Sequence, residues 1–154
     1  MHINAYDDIR VATSIKAQSL TGSSAVNGLS VDTQGYDNAK IHCYAVTTTS
    51  NPSVATVAVK LQESTDGTGS GAGAWTDALD NTGTVIGFTL NAQAADAVNA
   101  ARVEGLNLNR KRFLRVVATP AFTGGTSPAI LANAEIVFGG DAQQLPITTA
   151  VSNT

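Results

Sequence analysis

Between Ala39 and Phe138 the chain repeats one pattern: a short apolar segment, then a loop of Gly, Ser, Thr, Asn or Asp. The segments are Ala39–Thr47, Val54–Glu63, Thr84–Asn91, Arg102–Leu108, Phe113–Phe122 and Ala129–Phe138. In the first, Ile41, Cys43 and Ala45 alternate with His42, Tyr44 and Val46. That period of two places successive side chains on opposite faces of a strand. Val57, Val59 and Leu61 repeat it in the second segment. Heptads and long amphipathic helices are missing from the sequence. Short strands at this spacing predict an all-β fold, an antiparallel β-sandwich or a jelly-roll-like barrel.

The flanks are less regular. Ile9, Val11 and Ile15, extended by Ala17–Leu20, predict an opening strand, and Thr21-Gly22-Ser23-Ser24 a turn. Val26, Leu29 and Val31 predict a short second strand, ended by Asp32-Thr33-Gln34-Gly35. Residues 1–34 therefore read as N-terminal strands or as an arm docking on a neighbour. Residues 35–140 read as the sandwich core and residues 141–154 as a polar tail, one domain overall. Ala39–Thr47 and Val54–Glu63 are expected to pair as a hairpin. Ser64–Ala74 (STDGTGSGAGA) reads as a flexible surface connection. Asn91–Ala101 (NAQAADAVNAA) is rich in alanine, which predicts a turn of helix or a loop.

At 154 residues the chain can bury a real core without staples. Only 14% of its residues are charged, which leaves a neutral surface rich in Thr, Ser, Asn and Ala. Low charge favours contact between copies, so an oligomer or lattice component is expected. A net charge of −3 argues against a nucleic-acid binder, which needs a basic face to release counterions. Cys43 is the single cysteine, and with His2 and His42 it cannot supply a zinc site of the usual kind. No cofactor or metal is expected. Met1–Arg10 lacks the basic start and apolar run of a signal peptide, and no stretch is long enough to span a bilayer. Synthesis and assembly in a cytoplasm are the expectation.

No residue cluster carries obvious chemistry, and an enzyme is not expected. Asp66, Asp77 and Asp80 flank a Gly-rich loop and could hold Ca²⁺, but they lack the spacing of a dedicated site, and turn chemistry accounts for Asp66-Gly67 and Asp80-Asn81. Asp7 with Asp8, or Asp77 with Asp80, could be paired carboxylates of a glycosidase, yet nothing suggests a substrate cleft. His42 lies mid-strand without a Gly-x-Ser-x-Gly elbow, and Cys43 reads as a small core group. Arg110, Lys111, Arg112 and Arg115 hold four of the nine basic residues. They are either an electrostatic contact for an acidic neighbour or a solvated strand start that discourages edge pairing. Trp75 is either a cap on the end of the sandwich or an interface anchor. These five residues are the candidate interface.

From Gly35 onward the chain resembles a group of small virion proteins of tailed bacteriophages. The resemblance lies in GYDNAKIHCYAV (35–46), VAVKLQESTDG (57–67), AWTD (74–77), GTVIGFTLN (83–91), NRKRFLRVVATP (109–120) and TSPAILANAEIVFGG (126–140). It implies a head decoration, or cement, protein on the capsid surface. The implied partners are the major capsid protein and copies of itself, with a trimer favoured at local threefold positions. A tail, connector or head-fibre component is the alternative within the virion. A surface carbohydrate-binding module, acting through Trp75 or Tyr44, is the alternative of another class.

Overall fold

The computed structural model describes residues 9–49, 52–92, 97–103 and 110–141. Among the described residues ten strands follow in chain order: β1 Arg10–Thr21, β2 Val26–Asn27, β3 Val31–Asp32, β4 Tyr36–Thr49, β5 Val54–Ser64, β6 Thr76–Asp77, β7 Gly87–Asn91, β8 Ala97–Val103, β9 Phe113–Thr123 and β10 Ala129–Asp141. The one helical turn among the described residues is a 3₁₀ turn at Gly71–Gly73.

The strands form two antiparallel sheets. The first runs β1-β10-β4-β8. In the second, β9 and β5 are central, with β2 and β3 on the far edge of β9 and β6 and β7 on the far edge of β5. The chain crosses between sheets after β1, β3, β4, β7, β8 and β9. That alternation is the double-sheet jelly roll, and the expected all-β fold is present.

Period-two patterning explains the core. Ile41, Cys43 and Ala45 on β4 and Ile130, Ala132, Ala134, Ile136 and Phe138 on β10 turn inward and are buried. They meet Val57, Val59 and Leu61 of β5 and Leu114, Val116 and Ala118 of β9 in one hydrophobic cluster. Ile15 and Leu20 of β1 join it.

Three expectations need correction. β4 and β5 do not form a hairpin: β4 pairs with β10 and β8, whereas β5 pairs with β9, β6 and β7. Each strand is hydrophobic on one face only, and placing the two in opposite sheets buries both apolar faces against each other. The alanine-rich segment is neither helix nor loop at Ala97–Ala101, which is part of β8 and registers against Ala45–Ile41 of β4. Alanine's helix propensity is a weak preference that pairing with an open sheet edge overrides. Of the strand expected at Arg102–Leu108, Arg102 and Val103 belong to β8, and residues 104–109 lie outside the described residues. The strand expected at Thr84–Asn91 starts only at Gly87, because Asp80–Thr84 forms a turn. At the chain's end, β10 continues to Asp141, with Gly139 opposite Asn38 and Asp141 opposite Tyr36. Residues 142–154, and Asp7 and Asp8 at the other end, lie outside the described residues.

Candidate functional site

Residues on β5 and β9 that alternate with the core point away from it, onto the outer face of the second sheet. Gln62 sits opposite Arg115 and Lys60 opposite Val117. β6 adds Asp77 opposite Gln62. The result is a ladder of polar groups across three strands. Lys60 Nζ donates to Asp77 Oδ2 at 2.9 Å, and Gln62 Nε2 donates to Asp77 Oδ1 at 2.8 Å. Arg115 Nε and Nη2 both donate to Gln62 Oε1, at 3.0 and 2.7 Å. The Arg115 guanidinium also lies 4.5 Å from the centre of the Trp75 ring, a cation–π geometry. Burial lowers the pKa of Arg115, while the Lys60 and Gln62 hydrogen bonds hold the Asp77 carboxyl below the ordinary range.

Trp75 is therefore not a cap on the end of the core. It is half-buried on the outer face of the second sheet, stacked on Arg115 and held close to Gly69. The strand start places the other basic residues apart. Arg112 makes a two-pronged ion pair with Asp32, Nε to Oδ1 at 3.0 Å and Nη2 to Oδ2 at 2.7 Å, and lies over Phe113. Lys111 Nζ donates to Thr76 Oγ1 at 2.9 Å. Arg110 Nη1 lies 3.7 Å from Glu63 Oε2, with both side chains largely buried. The four cations thus diverge to four different partners. Arg115 meets Trp75, and Arg112 faces the β3 corner.

Asp66 and Asp80 organise two turns of the same kind. Thr68 N and Oγ1 both donate to Asp66 Oδ1 at 2.8 Å. Thr82 N and Oγ1 donate to Asp80 Oδ1 at 2.8 and 2.7 Å, and Thr84 N adds a third bond at 2.9 Å. These bonds lower both carboxyl pKa values. The Asp-x-Thr pattern that produces them was present in the sequence. The Gly-rich loop carries bonds of its own: buried Ser64 Oγ donates to Gly73 O and accepts from Gly67 N at 3.0 Å. A Cβ on Gly73 would fall 1.7 Å from Asp66 Oδ1, so any larger residue there would displace the Asp66 carboxylate from its present position.

Sequence reasoning missed a cleft of about 560 Å³ at the end of this face, walled by Glu63, Thr76, Asp77, Asp80, Asn81 and Arg110. Its signal was hidden because Glu63 and Arg110 lie on different strands or loops and meet only in the fold. The first sheet's outer face carries His42 and Tyr44 on β4, both half-buried, opposite Glu135 and Asn133 of β10.

No protein-family model matches the chain, and no curated protein matches it in sequence. Among solved structures, the fold is similar to one described as infectious bursal disease virus, Gx strain. That match is 11% identical with a TM-score of 0.54, covering 90% of this chain and 33% of the other. A crystal structure of the VP2 subviral particle of infectious bursal disease virus also aligns, at 11% identity and a TM-score of 0.48, covering 90% of this chain and 34% of the other. The chain thus spans about a third of the neighbour that shares its fold.

Proposed function

We propose that this chain is a structural protein of a virus particle, one that decorates and stabilises a bacteriophage capsid by bridging neighbouring capsid subunits. The observation that carries the reading is the jelly roll itself, which aligns over 90% of its length with part of a virus structure. Jelly rolls recur in viral capsid domains. The tailed-phage setting and the decorating role come from the sequence resemblance. A low-charge surface fits a protein that holds neighbours together.

The partners in this reading are the major capsid protein and further copies of the chain, with a trimer as the favoured unit. Trp75, Arg110, Lys111, Arg112 and Arg115 form the proposed interface. Trp75 and Arg115 suit a central contact, since stacked aromatic and arginine groups dominate binding hot spots. Each contact would bury apolar area at about 25 cal/mol per Å², before association costs are subtracted. Many such attachments per particle make weak contacts hard to reverse.

Copy counting in purified particles tests this. Quantitative mass spectrometry should find the chain in fixed proportion to the major capsid protein, and imaging should place it over the whole shell. A few copies confined to one vertex would overturn the decorating role in favour of a connector, tail or fibre component. Complete absence from particles would overturn a virion role of any kind.

A further inference from the structure

We infer that the outer face of the first sheet binds the same face of a second copy of this chain, through a twofold contact centred between β10 and β4. The contact would form whether or not the chain belongs to a virus particle, so failure of one reading leaves the other standing. On β10, Leu131, Glu135 and Val137 point outward and lie in register with Val46, His42 and Lys40 of β4. β1 sets Val11 beside Val137. Val11 is 56% exposed and Leu131 39%, and Val46 and Val137 are half-buried. Apolar side chains spread over the solvent side of three adjacent strands mark a face that meets another protein.

Charge complementarity names the occupant. Among the described residues the ion pairs are Lys60–Asp77, Arg110–Glu63 and Arg112–Asp32, and none of these residues belongs to the first sheet. Lys40, exposed, and Glu135, half-buried, enter none of them, although they sit on adjacent strands one outward position apart. The second sheet's outer face, by contrast, engages its charges within the chain, Lys60 with Asp77 and Arg115 with Gln62. An open cation beside an open anion matches a partner that carries both signs in exchanged places. A purely acidic partner would answer Lys40 and repel Glu135. The face itself carries the required pattern, so a second copy supplies it.

A twofold axis along the strands, midway between β10 and β4, exchanges the two columns of side chains. Leu131 then faces the partner's Val46, and Val137 lies on the apolar stem of the partner's Lys40. Glu135 faces the partner's His42, one position from the partner's Lys40, and symmetry repeats each contact. Stacked sheets pack about 10 Å apart with strand directions within about 30°, which this arrangement keeps. β10 rises about 34 Å from Ala129 to Phe138, and the sheet's four strands at about 4.8 Å spacing span about 19 Å, a face of about 600 Å². Two such faces bury about 1,200 Å², the lower end of a stable, specific interface.

Sedimentation equilibrium of the full chain, over a micromolar-to-millimolar series, reads the contact. The unaltered chain is expected to form dimers. Glu135→Lys and Lys40→Glu each bring like charges together in both halves of the contact, so each variant alone should dimerise at least about tenfold more weakly. Mixed together, the two variants should associate as the unaltered chain does, because every contact in the mixed pair regains opposite charges. An effect of either substitution inside its own chain cannot produce that recovery. Leu131→Ser, which removes an apolar contact, should weaken the dimer too, and thermal melting verifies that each variant is folded. A chain that stays monomeric throughout would overturn the inference and leave the face to a different protein surface. Dimers that neither charge substitution weakens, or single variants that do not recover on mixing, would overturn it as well. So would association lost with Trp75→Ala and kept in the first-sheet variants, which would move the contact between copies to the second sheet.

Discussion

Ser14 joins the two sheets. Its hydroxyl accepts from the buried Val116 N–H at 2.9 Å and donates to Leu29 O at 3.1 Å, while its own carbonyl accepts from Leu29 N at 2.6 Å. Ser14→Ala leaves a buried N–H unpaired, and a loss of about 1–3 kcal/mol is expected in urea unfolding. Gly28→Ala should cost more, because a Cβ there would lie 2.3 Å from Ser14 Oγ and 2.7 Å from Val116 O. Neither effect was legible in the sequence, since Ser14 looks like any strand serine and its partner is 102 residues away. Cys43 was legible, because its place in the alternation puts it inward. Burial pushes its thiol up to about 12, so a thiol reagent should label it only once the protein unfolds. The acidic groups set a pH limit. Asp32 is held below the ordinary range first by its Arg112 hydrogen bond, as Asp77 is by Lys60. A carboxyl with a lowered native pKa stabilises the fold fully above its unfolded value, about 4, and that contribution fades as pH falls through the native value. Urea midpoints should therefore be level from neutral pH to about pH 5 and drop below about pH 4. Asp32→Asn combined with Asp77→Asn should flatten part of that drop.

At the scale of elements, the strands were readable wherever apolar residues alternate without interruption. β5, β9 and β10 fall within a few residues of their expected bounds because each presents one continuous apolar face. Strand pairing was not readable. Nothing local in β4 or β5 says that they belong to different sheets, and nothing in an alanine run says that a sheet edge will claim it. The basic cluster shows the same division. Its residues stood out in the sequence, but their partners Asp32, Gln62, Glu63 and Thr76 come from three other strands. The edge strand β1 carries its own protection. Its register against β10 shifts between Thr13 and Ile15 and again between Ile15 and Gln18, and the exposed Lys16 lies within the second shift. Bulges and an edge lysine both discourage a further strand from adding. β10, by contrast, lies between β1 and β4, and its Ile136 side chain is fully buried. Ile136→Ala should lower the unfolding free energy by about 2–5 kcal/mol through the cavity it leaves. A measured loss below about 1 kcal/mol would show that the sheets close over the gap.

For the whole molecule, the balance of charge decides how it could attach to a particle. The net charge is −3, and the cations that drew attention in the sequence are already engaged within the chain. An acidic shell would gain little from them, since each would have to leave a partner it already has. In the proposed role, attachment should then rest on the neutral, apolar and stacked parts of the surface, Trp75 on Arg115 among them. Screening separates this from a charge-driven contact. Exposed charges lose most of their mutual attraction once the screening length falls from about 10 Å at 0.1 M salt to about 3 Å at 1 M. Particles carrying the chain should keep it through a sodium chloride series spanning that range, as read by sedimentation and gel quantification. Trp75→Ala should release it at every salt concentration, because it removes the apolar half of the stack and leaves the charges in place. Release of the unaltered chain in moderate salt would assign the attachment to freed arginines and lysines instead, and would require the internal pairs of Arg112 and Arg115 to open on binding.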